Sequence, residues 1–208
     1  MFMIKKTSLF ILLPLLISSC ANISFSDASP LLKAAIFGYQ SKPVTLKEFS
    51  DAQYSFAVVK FERGTEARLV LSSVNENGLF KWVGGDGVIM YTLNGKILKT
   101  AGLSHNFELL DWKEPVSQMA RKNLVLFKNP NGIFTQEISR GSEVFSEIDF
   151  HYEGVIKVKF LKERLAIRDL RLKQENLYWF DNTGMVKRSI QHLNPKTSSV
   201  TLDFFYKF

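Results

Sequence analysis

From Tyr54 to Phe208 the chain alternates apolar and polar residues in short runs, broken by Gly, Asn or Pro at close and fairly regular intervals. That rhythm constrains the fold more than any other feature, because side chains two apart share one face of a strand, whereas a helix needs a period of about 3.6. In the first run Tyr54, Phe56, Val58 and Lys60 oppose Ser55, Ala57, Val59 and Phe61, and Arg63-Gly64 marks a turn. Arg68–Val74 and Leu79–Val83 follow, separated by Asn75-Glu76-Asn77-Gly78. Val88–Leu93 and Lys96–Ala101 flank Asn94-Gly95, the strongest short-range hairpin signal, since both positions tolerate positive φ.

Strands resume at Leu124, with turn signals at Asn129-Pro130-Asn131-Gly132, Arg140-Gly141, Glu153-Gly154, Asp181-Asn182-Thr183-Gly184 and Asn194-Pro195. About eleven strands at near-regular spacing predict an all-β, mainly antiparallel fold, either barrel-like or a strongly curved meander sheet. Val155–Leu161 and Ala166–Leu172 read as separate strands. The eighteen phenylalanines supply much of a core. Met90–Thr100 also echoes Trp179–Ser189: an apolar-aromatic strand turns at Asn and Gly and returns with a basic residue and a hydroxyl. The echo fits either generic hairpin chemistry or a barrel of two similar halves.

Ahead of the strands, Leu31–Gly38 has helical spacing, with Pro30 suited to its first turn and Gly38 to its end, which predicts one short N-terminal helix. Lys42–Glu48 reads as a connection. The first residues form a secretory signal: Lys5 and Lys6, then apolar Leu9–Ile17, too short to span a bilayer. Ile17-Ser18-Ser19-Cys20 closely resembles the lipobox of bacterial prolipoproteins. That resemblance implies cleavage before Cys20 and a covalent diacylglycerol and N-acyl chain on it, with no other cofactor. Cys20 is the chain's one cysteine, so an ordinary secreted product would carry a free thiol and no disulfide. The chain then divides into a signal peptide (1–19), a lipidated tether rich in Ser, Asn and Ala (20–30) and a single β domain (31–208). Ala21 stands where an inner-membrane lipoprotein commonly carries aspartate, so the lipid-anchored protein is expected at the outer membrane.

The net charge of +7 falls to 25 − 20 = +5 once Lys5 and Lys6 are removed. A mildly basic domain without a basic run fits ordinary solvation or an anionic partner, and argues against nucleic acid. The alternation of Val200, Leu202, Phe204, Tyr206 and Phe208 resembles the last strand of integral outer-membrane barrels, but it equally suits the closing strand of a lipid-tethered barrel packed inside.

Taken together, the lipobox, the Leu31–Gly38 segment, Tyr54–Trp82, the Leu93-Asn94-Gly95-Lys96-Ile97-Leu98-Lys99-Thr100-Ala101-Gly102-Leu103 run leading to Asn106, and Tyr178-Trp179-Phe180-Asp181 with Gly184 and Lys187-Arg188 resemble the group 4 capsule polysaccharide lipoprotein family (GfcB/YjbF type). The resemblance implies a mainly β envelope lipoprotein that serves capsule or exopolysaccharide assembly or export without being an enzyme. Polysaccharide or export proteins would be its partners. The chain departs from the family pattern at Gly84-Gly85-Asp86-Gly87, where Asp-Asn is usual.

The residues offer little for catalysis. His105, His151 and His192 are isolated in sequence, no second cysteine could complete a metal site, and no nucleophile elbow, phosphate loop or zinc motif appears. Glu147 and Asp149 share a strand face but read as solvated. For ligand binding, Trp82, Trp112 and Trp179, with Tyr91 and Tyr178, offer flat faces for sugar rings, while Arg68, Lys99 and Arg188 suit acidic groups. The competing reading places each aromatic in the core. A different class of function, a lipid or lipoprotein carrier or envelope sensor, would need an open half-barrel with an acyl-sized apolar cavity. The anchor itself has a direct test: Cys20→Ser should move the protein from the detergent-extractable membrane fraction to one released by carbonate, and retention of the variant would mean attachment by another route.

Overall fold

The computed structural model describes residues 42–61, 66–85, 87–112, 122–193 and 199–208. The expected signal, Cys20, the expected tether and Leu31–Gly38 helix, Asp86 and the turns expected at Arg63-Gly64 and Asn194-Pro195 lie outside the described residues.

The described chain begins with one short helix, α1 (Leu46–Asp51). Its first half, Leu46–Glu48, lies in the Lys42–Glu48 segment that reads as a connection in the sequence. Its signal is a capping box: the Thr45 hydroxyl accepts from the Glu48 amide while the Glu48 carboxylate accepts from the Thr45 amide. These bonds hold the Glu48 carboxyl below the ordinary glutamate range.

Antiparallel strands follow: β1 (Phe56–Phe61), β2 (Glu66–Val74), β3 (Leu79–Gly84), β4 (Ile89–Leu93), β5 (Lys96–Ala101), β6 (Glu108–Leu109), β7 (Lys122–Asn129), β8 (Gly132–Arg140), β9 (Val144–Asp149), β10 (Val155–Ile167), β11 (Leu172–Phe180), β12 (Val186–Gln191) and β13 (Val200–Phe205). Each neighbour in the meander pairs with the next, and β13 returns to pair with β1 from Phe56↔Phe205 to Phe61↔Val200. With β8 and β11 on opposite edges of β10, the wall closes as a barrel of twelve strands, leaving β9 as an appendage. Closure realises the barrel that the strand rhythm predicts and overturns the open half-barrel of the carrier alternative. The two-residue β6 is too short to register as alternation.

One expected turn is absent. Val155–Leu161 and Ala166 onward belong to a single thirteen-residue strand, because Lys162-Glu163-Arg164, polar enough to suggest a loop, continues the alternation with Glu163 pointing inward. The chain reverses instead at 168–171, where Arg171 takes φ +50°.

Strand parity sorts the side chains. Ala57, Val59, Leu69, Trp82, Met90, Phe127, Ile138, Leu161, Leu165, Leu202 and Phe204 fill the barrel. Val200, Leu202 and Phe204 of the last strand thus point into the core, the arrangement of a barrel packed inside and not of one that turns its apolar residues to lipid.

The interior also holds an ion pair. Lys96 Nζ lies 2.5 and 2.7 Å from the two Glu163 oxygens, with both side chains buried. Asn176 Nδ2 and the Tyr178 hydroxyl donate to Glu163 Oε2 at 2.8 and 3.1 Å, and the ammonium sits 4.4 Å from the centre of the Trp112 ring. Burial pushes the Lys96 pKa down, against the opposing charge of Glu163, and pushes the Tyr178 hydroxyl well up. Next to the pair, Gln191 joins opposite walls: its Oε1 accepts from the Ile97 amide at 2.9 Å and its Nε2 donates to the Gly95 carbonyl at 2.7 Å.

A second apolar cluster lies outside the wall, built from Val44, Phe56, Val58, Ile148, Phe150, Val158 and Phe205. It forms because β9 and the first half of β10 fold as a hairpin over the outer face of β12, β13 and β1. Between the pairs Glu163↔Arg140 and Phe160↔Val144, β10 advances three residues while the opposite chain advances four. That extra residue inverts the facing of the strand, so Ile138 looks into the barrel and Ile148 onto the outer cluster.

Removing one partner of a buried pair leaves the other charge without compensation. Glu163→Leu should therefore cost about 3–5 kcal/mol in urea denaturation, and Lys96→Met in the same chain should restore most of it. Additive losses in the double variant would show that the two side chains act independently.

Candidate functional site

The outer hairpin turns at 150–154, with His151 in the left-handed region at φ +49°. Non-glycine residues seldom adopt that conformation, and here the side chain is fixed by two bonds. The Val44 amide donates to Nδ1 at 2.9 Å, so the ring hydrogen belongs on Nε2, which lies 2.8 Å from Asp203 Oδ2. Arg188 grips the same carboxylate with two nitrogens, Nε to Oδ1 at 2.5 Å and Nη2 to Oδ2 at 2.9 Å, and its Nη1 donates to the Asp149 carbonyl. Burial raises the affinity of Asp203 for a proton, but the bonds from His151 and Arg188, with the charge of Arg188, outweigh it and hold the carboxyl below the usual aspartate range. Although a histidine and an aspartate meet here beside Ser199 and Thr201, both ring nitrogens are occupied, so His151 has none to offer as a base to either hydroxyl.

Two clefts flank this hairpin tip. A polar one of about 450 Å³ is lined by Lys42, Lys60, Asp149, His151, Arg188 and Asp203. An aromatic one of about 400 Å³ is walled by Phe49 of α1, Tyr152 of the hairpin, and Tyr206 and Phe208 after β13. Glu153, Asp181, Thr183 and Lys187 supply polar groups along it. Phe49 stacks on Tyr152 with centroids 5.2 Å apart, Tyr206 and Phe208 lie 5.5 Å apart, and Phe208 is 79% exposed. Lys207 Nζ sits over the Phe49 ring at 4.3 Å. Burial pushes the Tyr206 hydroxyl far above its ordinary pKa, and it donates to the Val186 carbonyl.

The structure separates the residues that the sequence groups as ligand candidates. Trp82 is 0% exposed in the barrel core, its indole donating to Thr92 Oγ1 at 2.8 Å. It therefore offers no face to a sugar, and the core reading holds for it. Tyr178 is likewise interior. Trp179 points outward, lies tilted against Phe160 with ring centres 5.2 Å apart and packs on the outer cluster. Arg188 borders the same cluster with its guanidinium 5.5 Å from Phe150, and Arg68 lies over Phe56 at 4.7 Å and 3.8 Å from Glu48. Lys99 joins none of these: it sits on β5 and pairs with Glu108 at 2.8 Å, which raises its pKa. The sequence reading missed Phe49, Tyr152 and Phe208 as a group. The Thr45–Glu48 capping box is the one local signal that places Phe49 on a helix; nothing local announces its contact with Tyr152.

The turn between β4 and β5 explains the most distinctive run of the sequence. Asn94 takes φ +41° and its amide bridges to the other echoing hairpin, donating to the Gly184 carbonyl and accepting from the Val186 amide. At Gly95, with φ +78°, a Cβ would fall 2.4 Å from that of Val186. Lys96 then enters the buried pair and Ile97 the core. Each residue of Asn-Gly-Lys-Ile thus has its own steric or electrostatic reason. Residues 31–135, which contain this run, match the sequence profile described as group 4 capsule polysaccharide lipoprotein GfcB, YjbF. The chain belongs to this family. The Tyr178–Arg188 part of the resemblance lies beyond the matched span. Among solved structures, the hypothetical lipoprotein YmcC from Escherichia coli (K12) is similar over 90% of this chain and 98% of its own, at 20% identity and a TM-score of 0.67, a likeness of fold. A search of curated proteins returns no match.

The Asp203 cluster has a signed pH dependence. A carboxyl whose pKa is lower in the folded state stabilises the fold above its unfolded value, near 4, and loses that contribution as pH falls through the folded value. Asp203→Asn should cost on the order of 2 kcal/mol at neutral pH, and thermal unfolding should show the gap from wild type closing below about pH 4. A gap that stays constant with pH would exclude this linkage.

Proposed function

We propose that the protein is a lipid-anchored, non-enzymatic accessory of capsule or exopolysaccharide assembly or export, held at the outer membrane through Cys20, and that it binds polymer at the aromatic cleft beside the outer hairpin. The observation that carries this reading is the composition of that cleft. Phe49, Tyr152 and Phe208 present ring faces, and Glu153, Asp181, Thr183 and Lys187 place hydrogen-bonding groups beside them. Pyranose rings have an apolar face of C–H groups and an equatorial belt of hydroxyls, and aromatic planes with a polar rim complement both. Lys42, Lys60 and Arg188 in the adjoining cleft, with Arg68 along the same outer surface, suit acidic substituents of such a polymer, and Trp179 adds an aromatic face there. Family membership supports the capsule context, and the lipobox-like Ile17–Cys20 supports the anchor.

Calorimetric titration with surface polysaccharide purified from the native host tests the reading. Tyr152→Ala and Phe208→Ala should each weaken binding about tenfold, the loss expected for one stacking face, with little change in unfolding temperature. Full affinity in both folded variants would falsify the assignment of the cleft.

A further inference from the structure

One wall of the aromatic cleft is only lightly held. Helix α1 buries none of its own residues, and a six-residue helix has little stability of its own. It is fixed by Phe49 against Tyr152 and Phe205, by Lys207 donating to the Ser50 carbonyl at 3.2 Å, by Glu48 near Arg68, and on its N-terminal side by the Val44 side chain in the outer cluster and the bond from the Val44 amide to His151 Nδ1. The last of these exists only with a neutral imidazole. Protonation places a hydrogen on Nδ1, directed at the Val44 N–H, so that two donors face each other with no acceptor between them.

The groups around the ring come from several elements. Asp203 on β13 bonds Nε2, Arg188 on β12 shares that carboxylate, and Asp149 lies on the hairpin itself. Lys42 precedes Val44, Lys60 of β1 lines the same cleft, and Glu66 of β2 interacts electrostatically with both His151 and Asp203. Asp203 and Arg188 thus bring one negative and one positive charge to the Nε2 side of the ring. The Val44 amide is compatible with the neutral ring alone.

We propose that His151 is an acid-sensitive latch: gaining a proton, it releases the Val44 amide and frees α1, with Phe49, from the wall of the aromatic cleft. Polymer binding then weakens as the surroundings acidify. This second step rests on the proposed function of the cleft; the latch does not.

Two substitutions separate the ring's bonds. His151→Asn puts a carbonyl oxygen near the Nδ1 position, keeps an acceptor for Val44 and suits positive φ, but cannot titrate. His151→Gln reaches the Nε2 position, keeps a donor for Asp203 and leaves Val44 without an acceptor. Hydrogen exchange of the full lipid-anchored chain in detergent, corrected for intrinsic rates, reads the latch. Between about pH 7.5 and 5, amides of Leu46–Asp51 should exchange roughly tenfold faster in wild type, stay slow in His151→Asn and be fast throughout in His151→Gln. Wild-type rates that do not change, or equal acceleration in His151→Asn, overturn the latch. Polysaccharide affinity should fall about tenfold over the same interval in wild type only. Affinity that stays level while exchange switches overturns the coupling to the cleft. Should Tyr152→Ala bind normally at pH 7.5 while exchange still switches, the failure belongs to the cleft assignment and not to the latch.

Discussion

The contact of the Asn94-Gly95 turn and Lys96 with the opposite wall is the constraint on which the rest of the barrel depends. A twelve-strand ring is wide enough to leave space at its centre, and this chain fills that space with polar groups as well as large side chains. Lys96 reaches Glu163, Gln191 completes the backbone bonding of β5, and Gly95 lets Val186 approach to a distance that any side chain would prevent. Buried polar groups of this kind specify register: a shift of either wall would strand two charges and two amides in an apolar core. Trp82, Phe127 and Phe204 contribute burial without comparable direction.

The outer cluster stands in a different relation to function. The barrel needs no second core to close, yet β9 and β10 extend beyond the ring and carry Ile148, Phe150 and Val158 onto its outer face. That extension creates both clefts, since Asp149 and His151 line one and Tyr152 and Glu153 the other. Polar and aromatic surfaces thereby meet at one hairpin tip, positioned by strands whose own register is set in the interior.

Much of this was legible in the sequence, for reasons that also explain what was not. Alternation and turn chemistry foretold an antiparallel barrel because each acts within a few residues. The Lys162-Glu163-Arg164 segment misled because a buried charge looks like a loop until its partner, Lys96, is known to lie 67 residues away. Helix α1 was hidden because six residues show less than two turns of periodicity. Trp82 and Trp179 are indistinguishable by local pattern, and facing alone makes one core and the other outer surface. His151 seemed isolated because Asp203 is 52 residues distant in sequence. The site was less readable than the fold because it is assembled from α1, the hairpin and the last two strands.

The extra residue between β8 and β9 bears on how chains of this fold can vary. It acts as a phase shift in a pattern of period two, so interior and exterior exchange places once along a nearly continuous strand. Deleting it would drive Ile148 and Phe150 to the solvent side and bring Glu147 and Asp149 against the barrel. Lengthening each arm of the hairpin by two residues would preserve facing and merely move the tip along the wall. Related chains are therefore free to reposition their clefts in steps of one residue pair, roughly 7 Å, while the barrel beneath stays unchanged.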